Sequence, residues 1–534
     1  MRLRTQKAGG TAGRRGLGSL VPFAMAVCVA VFLWGVSLFY SPKTGFTSLI
    51  SIGDILDATK VTALRKIPHH VYQDSAGYDG AYYAQLALYP TLDNPELKQA
   101  IDNLPYRARR ILFCWTAWLL GLGQPAWIVQ AHSLLNVICW LGLAVVLLRW
   151  FPPTNWNNFL RWFGIMFSHG VGTSVRHSLV DAPSLLLVAV AMAWMERGSR
   201  RRAGAVLALA GLGKETSVLA VAGLFDPTSR SWRNLARFAL TALAIVFPLL
   251  AWMAYVRFKF GPAEDPGLGN FTLPFFGLAE KWAEAVQAFL EEEDPWVAWG
   301  VVSATLAVTV QLLFIAVGRR WTEPWWRVGA MFALMTVFLS TPVWEGFPGA
   351  FTRVLLPMSL AFNVIVPRGR RWLPLLVAGN LSVLSTYREV GPPAEEFIRV
   401  QAEPQVAKAL TVTPGPGWYG PEEGSGVRWR WSSGESWLRI QNASAGPLAL
   451  TLHGRIAGTG PRHVKVFLGE VTLWSGDILE KSSRVDFDCV VPPGESKLRF
   501  AADQPARNVG GDPRRLSFNV SNLDIVARPS LAPP

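Results

Sequence analysis

Charged side chains are scarce in this sequence. Asp, Glu, Lys and Arg make up 16% of its 534 residues, whereas hydrophobic residues make up 51%. A soluble domain usually carries about 25% charged residues. Apolar runs long enough to cross a bilayer recur along the first three quarters of the chain. The composition therefore excludes an ordinary soluble protein and predicts a polytopic α-helical membrane protein.

Cysteine is also rare, with four residues in the whole chain. Cys28 and Cys139 lie in apolar runs, and Cys114 and Cys489 are isolated in sequence. No CxxC pair, His/Cys ligand spacing or Gly-rich phosphate loop is present. We therefore expect neither a structural zinc site nor a disulfide framework, and no cofactor is indicated.

The net charge of +14 does not indicate a nucleic-acid-binding protein. Lys and Arg cluster between the apolar runs, as the positive-inside rule predicts for cytoplasmic loops. We predict a basic cytoplasmic N-terminus at residues 1–19, followed by an uncleaved membrane anchor, Leu20–Tyr40. The next polar segment, 41–110, then lies outside the cytoplasm.

The remaining chain divides by composition into a membrane part and a tail. We predict a transmembrane domain over residues 20–390, with outer loops at 41–110 and 258–295. A linker follows at 391–415. Residues 416–534 carry seven or eight short alternating segments between turn signals, which is typical of a β-sandwich. With the topology above, this domain is extracytoplasmic.

One apolar segment, Ala203–Phe225, is interrupted by Gly213-Lys214-Glu215-Thr216 and is basic on both sides. Two basic flanks favour two half-helices that break at Lys214 and Glu215 and return to the same side. Irregular backbone is tolerated at this depth where it lines a cavity. The alternative, one full helix with a buried Lys–Glu pair, breaks the charge rule on one side.

An ionisable residue at membrane depth indicates function, because burial there costs free energy. The predicted topology gathers such residues at the outer interface. They are Asp79, Arg107, Arg109, Arg110, Arg176, His177, Asp181, Lys214, Glu215, Glu345 and Arg353. Arg and Lys side chains at this level suit a phosphate group.

Structural roles for these residues also remain open at this stage. Asp79 can shape an Asp-Gly turn, and Arg353 can extend to the interface as an anchor. Arg176 with Asp181, and Lys214 with Glu215, can form pairs that serve only the fold.

Several segments together resemble one family. They are GYDGAYYAQLAL (77–88), LPYRARRILFCWTAWLLGLGQP (104–125), SVRHSLVDAPSLLL (174–187), LAGLGKETSVLA (209–220) and GAFTRVLLPMSLAF (349–362). The set resembles bacterial integral-membrane glycosyltransferases of the GT-C superfamily. The most similar group has a GYDGQFYY-like motif in the first loop and a C-terminal periplasmic β-domain. The chain departs from that group at Ala81, where Gln is usual, and at Lys214, where Arg is common.

The resemblance implies a GT-C-like fold in the bacterial inner membrane. It also implies transfer of a sugar from a polyprenyl-phosphate carrier to an extracytoplasmic glycan or lipid acceptor, in cell-envelope glycopolymer synthesis. Asp79 matches the family's essential acid and would act as general base. Asp54 and Asp57 are alternative catalytic acids. Lys214 matches a basic residue of the family that resembles the contact to the carrier phosphate. From the outer-interface charges, and from the stacking of tyrosines on a sugar ring, we predict as substrate-binding residues Tyr82, Tyr83, Arg107, Arg110, Arg176, Asp181, Lys214, Glu215, Glu345 and Arg353. A divalent cation beside the phosphate is compatible with this chemistry, and nothing in the spacing demands one.

Two other functions fit part of the pattern. An envelope polysaccharide polymerase, ligase or flippase also combines many helices with outer arginines. A small-solute transporter usually has paired repeats with broken helices in both halves, and this sequence shows one broken segment without a second copy.

Overall fold

The computed structural model describes residues 20–72, 75–228, 231–263, 267–291, 295–389, 397–424, 427–509 and 514–530, together with 391 and 512. The chain forms two compact units, Met1–Gly391 and Pro392–Pro534. The predicted cytoplasmic segment 1–19 lies outside the described residues.

The first unit is helical. Its α-helices in chain order are α1 Leu20–Ser37, α2 Thr62–Arg65, α3 Asp79–Leu88, α4 Leu97–Ala100, α5 Leu104–Arg107, α6 Leu112–Leu120, α7 Pro125–Leu147, α8 Trp156–Met166, α9 His169–Arg176, α10 Asp181–Glu196, α11 Arg200–Gly213, α12 Trp232–Phe260, α13 Phe276–Glu291, α14 Pro295–Val317, α15 Pro324–Phe338, α16 Thr341–Trp344, α17 Phe351–Val354, α18 Leu356–Ile365 and α19 Leu373–Ala378. The 3₁₀ segments are Thr47–Ile50, Glu215–Leu224, Leu268–Asn270, Arg370–Trp372 and Leu381–Glu389.

Among the described residues, four helices are long and apolar enough to cross a membrane. They are α1, α7, α12 and α14. In α1 and α12 only 17% of the most apolar window is buried inside the protein. These two helices therefore present apolar side chains outward, as a lipid-facing helix does. The predicted class, a polytopic helical membrane unit with a C-terminal β-sandwich, is confirmed.

The interruption predicted at Lys214 and Glu215 is present. Helix α11 ends at Gly213, Lys214 adopts an extended backbone, and Glu215–Leu224 continues as a 3₁₀ helix. A second interruption lies between α8 and α9, where the chain leaves helical geometry at Phe167 and Ser168. Both interruptions place polar backbone inside the helical unit.

The second unit is a two-sheet β-sandwich. Its strands are β1 Ile398–Ala402, β2 Leu410–Pro414, β3 Trp418–Gly424, β4 Val427–Ser432, β5 Glu435–Asn442, β6 Leu448–Gly458, β7 Arg462–Leu468, β8 Val471–Ile478, β9 Ser483–Val491, β10 Gly494–Ala502 and β11 Phe518–Pro529. One sheet has the order β3-β4-β11-β6-β9 with β1 parallel to β11, and the other has the order β2-β5-β10-β7-β8. Buried and exposed positions alternate along β6 and β9, so each strand turns one face to the core.

The segment 391–415, predicted as a linker, contains folded structure. Strands β1 and β2 flank a short helix, α20 Pro404–Ala409, and both strands pair within the sandwich. The sandwich thus includes residues before 416. The sequence prediction missed these strands because each is five residues long and neither follows a long apolar run.

Substitutions at two neighbouring valines in β9 test which face of this strand points into the core of the sandwich. Val491 is fully buried, whereas Val490 is 47% exposed. Val491→Ala should lower the free energy of unfolding by about 2 kcal/mol, because two methyl groups leave a close-packed core. Val490→Ala should change it little. Hydrogen exchange of peptides covering β6 and β9, read by mass spectrometry on the full chain, measures both effects, and equal protection in the two variants would contradict the assigned faces.

Candidate active site

The helical unit contains a cavity of about 410 Å³ rich in ionisable side chains. Its charged lining residues are Asp79, Arg107, Arg109, Arg110, Asp181, Lys214, Glu215 and Arg353. Seven of these eight were among the predicted substrate-binding or catalytic residues, and Arg109 was placed at the same interface. The cavity therefore brings together segments that lie up to 274 positions apart in the sequence.

Asp79 is the first residue of α3, and two glycines allow it to sit there. Gly77 has a φ of +78°, and a Cβ on it would lie 2.7 Å from the Ser51 carbonyl oxygen. A Cβ on Gly80 would lie 2.0 Å from the His177 carbonyl oxygen. The GYDG motif thus lets the chain pass close to two other backbone segments while Asp79 turns toward the cavity.

Arg107 reaches the cavity from the last turn of α5. The Asn103 side chain caps this helix by accepting the Tyr106 amide N–H at 3.1 Å, and Pro105 occupies the first turn. Asp102 accepts from Arg107 Nε at 3.0 Å and from Nη2 at 2.8 Å. These local contacts fix the guanidinium before it meets any substrate.

Asp79 lies between two arginines. Its Oδ1 is 3.0 Å from Arg107 Nη2, and its Oδ2 is 3.8 Å from Arg353 Nη1. Burial alone lowers the pKa of Arg107, but the hydrogen bond to Asp102 and the charge of Asp79 outweigh it and raise the pKa above its usual range. The Asp79 side chain is still 26% exposed, so part of the carboxylate faces the open cavity.

A buried pair lies deeper in the cavity. Lys214 Nζ, at the break after α11, donates to Asp181 Oδ1 at the start of α10. The same carboxylate has its Oδ2 3.6 Å from Arg353 Nη1. Arg353 therefore joins Asp79 and Asp181, and only 4% of the Asp181 side chain is exposed.

Arg110 forms the third group of contacts. It binds Glu215 with two hydrogen bonds, Nε to Oε2 at 2.8 Å and Nη2 to Oε1 at 2.7 Å. It also donates to the hydroxyls of Tyr83 at 2.9 Å and Tyr106 at 3.1 Å. Burial lowers the pKa of Arg110, but the charge of Glu215 outweighs it and raises the pKa well above its usual range. The two-point geometry is the strong form of an ion pair.

The pairing found here differs from the two structural alternatives considered above. Lys214 bonds Asp181 rather than Glu215, and Asp181 bonds Lys214 and Arg353 rather than Arg176. Each pair crosses between chain segments. The pairs therefore assemble the cavity and do not merely neutralise neighbours in sequence.

The described lining carries five cationic and three anionic side chains. The lining itself therefore holds more cations than carboxylates, and Asp102, outside the lining, offsets part of this excess through Arg107. Low local dielectric strengthens the attraction of such a site for an anion. The cavity is thus chemically suited to a phosphate group next to a partly exposed carboxylate.

Four of the charged residues predicted as catalytic or substrate-binding lie outside the lining. Arg176 donates to Ser48 O and Ser51 Oγ, both at 3.1 Å, and to Tyr72 OH at 2.9 Å. Glu345 is exposed after α16. Asp54 Oδ1 accepts the Ser75 amide N–H at 3.1 Å, and exposed Asp57 pairs with Lys60.

The two tyrosines predicted to stack on a sugar differ in their positions. Tyr83 lines the cavity but is 1% exposed, with its hydroxyl on Arg110. Tyr82 is half-buried beside the cavity, with the Arg107 guanidinium 5.1 Å from its ring centre.

Sequence reasoning missed four polar residues at or behind the cavity. Asp102 holds Arg107, Tyr106 contacts Arg110, Tyr78 accepts from Arg353 Nη2 at 3.2 Å, and Glu389 contacts two histidines. The first three are close in sequence to predicted site residues: Tyr78 precedes Asp79, and Asp102 and Tyr106 lie within five positions of Arg107. This proximity was the signal that could have found them. Nothing local in the sequence marks Glu389.

Among the residues that the structure describes, no three His, Cys, Asp or Glu side chains are placed so that they could hold a metal ion.

No family model and no curated protein sequence matches the chain. Two solved structures align with almost all of it. The arabinosyltransferase EmbB from Mycobacterium smegmatis is 11% identical, with 97% of this chain and 65% of that chain covered at a TM-score of 0.27. The arabinofuranosyltransferase AftD from mycobacteria is 14% identical, with 96% and 63% covered at a TM-score of 0.28. This chain spans less than two thirds of the length of either.

Part of the chain is also similar to carbohydrate binding modules. A family 35 module from an environmental isolate is 14% identical over 23% of this chain and 98% of the module, at a TM-score of 0.15. A family 29 module is 10% identical over 22% of this chain and 88% of the module, at the same TM-score. All of these TM-scores are low, so the likenesses carry no argument about fold or activity.

The close approach at Gly80 generates a prediction about the position of Asp79. Gly80→Ala should lower the free energy of unfolding by about 1–3 kcal/mol, because the new Cβ forces backbone apart from backbone. Gly35→Ala is the control, since nothing lies within 4 Å of its Cβ position. The unfolding midpoints of the two purified variants in detergent test this, and equal midpoints would show that α3 accommodates the methyl group.

The Arg110–Glu215 pair generates a second prediction. Glu215→Gln should lower the free energy of unfolding by about 3 kcal/mol, because it leaves a buried guanidinium without its counter-charge. The double variant Arg110→Met, Glu215→Met should lose less than the sum of the two single variants, since both charges leave together.

The half-exposed pair Arg320–Glu323, at 3.5 Å, provides a control for that measurement. Glu323→Gln should cost about 1 kcal/mol or less, because solvent already screens the pair. Denaturant unfolding followed by tryptophan fluorescence compares all of these variants, and additive losses at Arg110 and Glu215 would contradict their coupling.

Proposed function

We propose that the protein is an inverting membrane glycosyltransferase. It moves a sugar from a polyprenyl-phosphate carrier to a hydroxyl of an extracytoplasmic glycan or lipid acceptor in cell-envelope glycopolymer synthesis. The observation that carries the proposal is the cavity itself. A partly exposed carboxylate, Asp79, faces an excess of guanidinium and ammonium groups inside an apolar helical unit.

In the proposed reaction, Asp79 acts as general base. Its Oδ2, which is 3.8 Å from Arg353 Nη1, takes the proton of the acceptor hydroxyl while that hydroxyl oxygen forms a bond to the anomeric carbon. The bond between the anomeric carbon and the phosphate oxygen breaks at the same time, and the carrier phosphate leaves with the electron pair. Attack opposite to the leaving group inverts the anomeric centre.

The cations have the complementary role. Charge develops on the phosphate oxygen as its bond to the sugar breaks, and preorganised donors stabilise charge that develops in the transition state. Arg107, Arg353 and Lys214 border Asp79 and Asp181 and are already oriented by these carboxylates. They therefore need little rearrangement when a phosphate binds.

Asp79 is favoured over the other candidate acids by position. Asp54 and Asp57 lie outside the cavity lining, and Asp181 is almost completely buried against Lys214. Of the three lining carboxylates, Glu215 has both oxygens on Arg110. This leaves Asp79 as the lining carboxylate best able to meet an incoming hydroxyl.

The membrane topology in this proposal is the one that the positions of Lys and Arg in the sequence predict. The cavity opens on the extracytoplasmic side of the bacterial inner membrane, where the lipid-linked donor presents its sugar. The β-sandwich lies in the same compartment and would contact the acceptor glycan.

The acid assignment is tested with Asp79→Asn in a reconstituted membrane assay. The donors are a panel of radiolabelled polyprenyl-phosphate pentoses and hexoses, and the acceptors are isolated envelope glycans. The kcat should fall about 10²- to 10⁴-fold, because the amide cannot accept the proton. Asp54→Asn and Asp57→Asn are the matched controls and should retain wild-type kcat.

Full activity in the Asp79 variant would overturn its role as base. A wild-type protein that moves the lipid-linked sugar across a proteoliposome membrane without forming a glycosidic product would instead be a flippase. Transfer of whole polymer blocks rather than single sugars would indicate a polymerase or ligase.

A further inference from the structure

A second polar cluster lies directly behind the cavity. Glu389, at the end of the last 3₁₀ segment, has Oε1 3.3 Å from His169 Nε2 and Oε2 3.4 Å from His177 Nε2. His169 is the first residue of α9, and His177 directly follows the last residue of that helix. The Glu389 side chain is 11% exposed, and none of the three residues is among the described lining of the cavity.

The other ring nitrogens face hydroxyl groups. His169 Nδ1 is 3.0 Å from Thr352 Oγ1, and His177 Nδ1 is 2.8 Å from Ser51 Oγ. A carboxylate accepts hydrogen bonds and does not donate them. Both rings therefore present an N–H on Nε2 to Glu389, and the carboxylate sets the tautomer and the orientation of both imidazoles.

Each histidine supports one wall of the cavity. Thr352, beside His169, directly precedes Arg353 in α17. Tyr78 directly precedes Asp79, and its ring stacks on His177 with a centroid distance of 4.4 Å and an interplanar angle of 24°. The Tyr78 hydroxyl in turn accepts from Arg353 Nη2 at 3.2 Å. The two walls thus meet through one carboxylate behind them.

We infer that Glu389 is a positioning residue for glycosyl transfer, which holds Asp79 and Arg353 in register through His177 and His169. This inference rests on the proposed function. Its geometric consequence is the 3.8 Å approach of Arg353 to Asp79, which leaves the carboxylate paired but still facing the cavity. Reacting groups displaced by about 1 Å lose on the order of 10²-fold in rate, so a support behind the site affects turnover.

The charge state of Glu389 agrees with this role. Burial raises the pKa of its carboxyl, but the hydrogen bonds from His169 and His177 outweigh burial and hold the pKa well below its usual range. Glu389 thus remains an acceptor for both rings at neutral pH.

The test uses the full-length protein in lipid nanodiscs, with the polyprenyl-phosphate sugar from the panel that the wild type turns over. Glu389→Ala should lower kcat about 10- to 100-fold and leave the KM for the donor within about twofold, because the cavity lining is unchanged. The kcat of Glu389→Gln should lie between those of the wild type and Glu389→Ala, since the amide oxygen of Gln still accepts from one imidazole.

Glu196 provides a matched control. It is a carboxylate that also joins separate side chains, accepting from Arg149 Nε at 2.8 Å, Trp150 Nε1 at 2.9 Å and Trp325 Nε1 at 3.1 Å. It is not among the described residues that line the cavity. Glu196→Gln should lower the unfolding midpoint as much as Glu389→Gln does, with an unchanged kcat.

A double-mutant cycle separates positioning from a general effect on the fold. Tyr78→Phe removes the hydroxyl that links Tyr78 to Arg353, and its effect on kcat should be non-additive with that of Glu389→Ala. Additive effects, or wild-type kcat in folded Glu389→Gln and Glu389→Ala, would overturn the inference and leave the proposed function standing. A wild-type protein that transfers no sugar from any donor of the panel would instead overturn the proposed function.

Discussion

A charge inside an apolar helical protein is stable only when an opposite charge or several hydrogen bonds face it. This constraint organises the helical unit. Asp181 faces Lys214, Glu215 faces Arg110, and Asp79 lies between Arg107 and Arg353. Because the members of each pair come from different segments, satisfying the charges brings the segments to one place and leaves a cavity between them.

The segments that line this cavity are mostly short helices, helix ends and a break in a helix. Asp79, Arg107, Lys214 and Arg353 stand at helix ends or at a break, whereas the four long apolar helices contribute none of the charged lining. Long helices with regular backbone bonding supply a stable frame in lipid. Helix ends supply side chains that can point in several directions, and close backbone contacts such as that of Gly80 fix the direction used.

The sequence located several elements of the fold but not the directions of their side chains. The polar residues 214–216 located the break at Lys214, and the alternation of apolar and polar residues located the sandwich. The predicted topology also placed Arg176 and Glu345 at the outer interface with Asp79, yet neither residue lines the cavity. Apolar runs indicate where the chain crosses the membrane, but the packing of the helices decides which side chains face one another. The contacts of Glu215 with Arg110, 105 positions away, and of Glu389 with two histidines depend on that packing. The strands β1 and β2 were missed because five residues carry little pattern of their own, and pairing with β11 and β5 defines them.

The excess of positive charge in the cavity also bears on what happens after chemistry. Under the proposed function, the groups that stabilise the departing phosphate attract it more strongly once the sugar is gone, because the free phosphate monoester carries more negative charge than the diester donor. We therefore expect the spent carrier to bind more tightly than the donor, and its release into the lipid to limit turnover. The charges that favour the chemical step would be the same charges that retain its product.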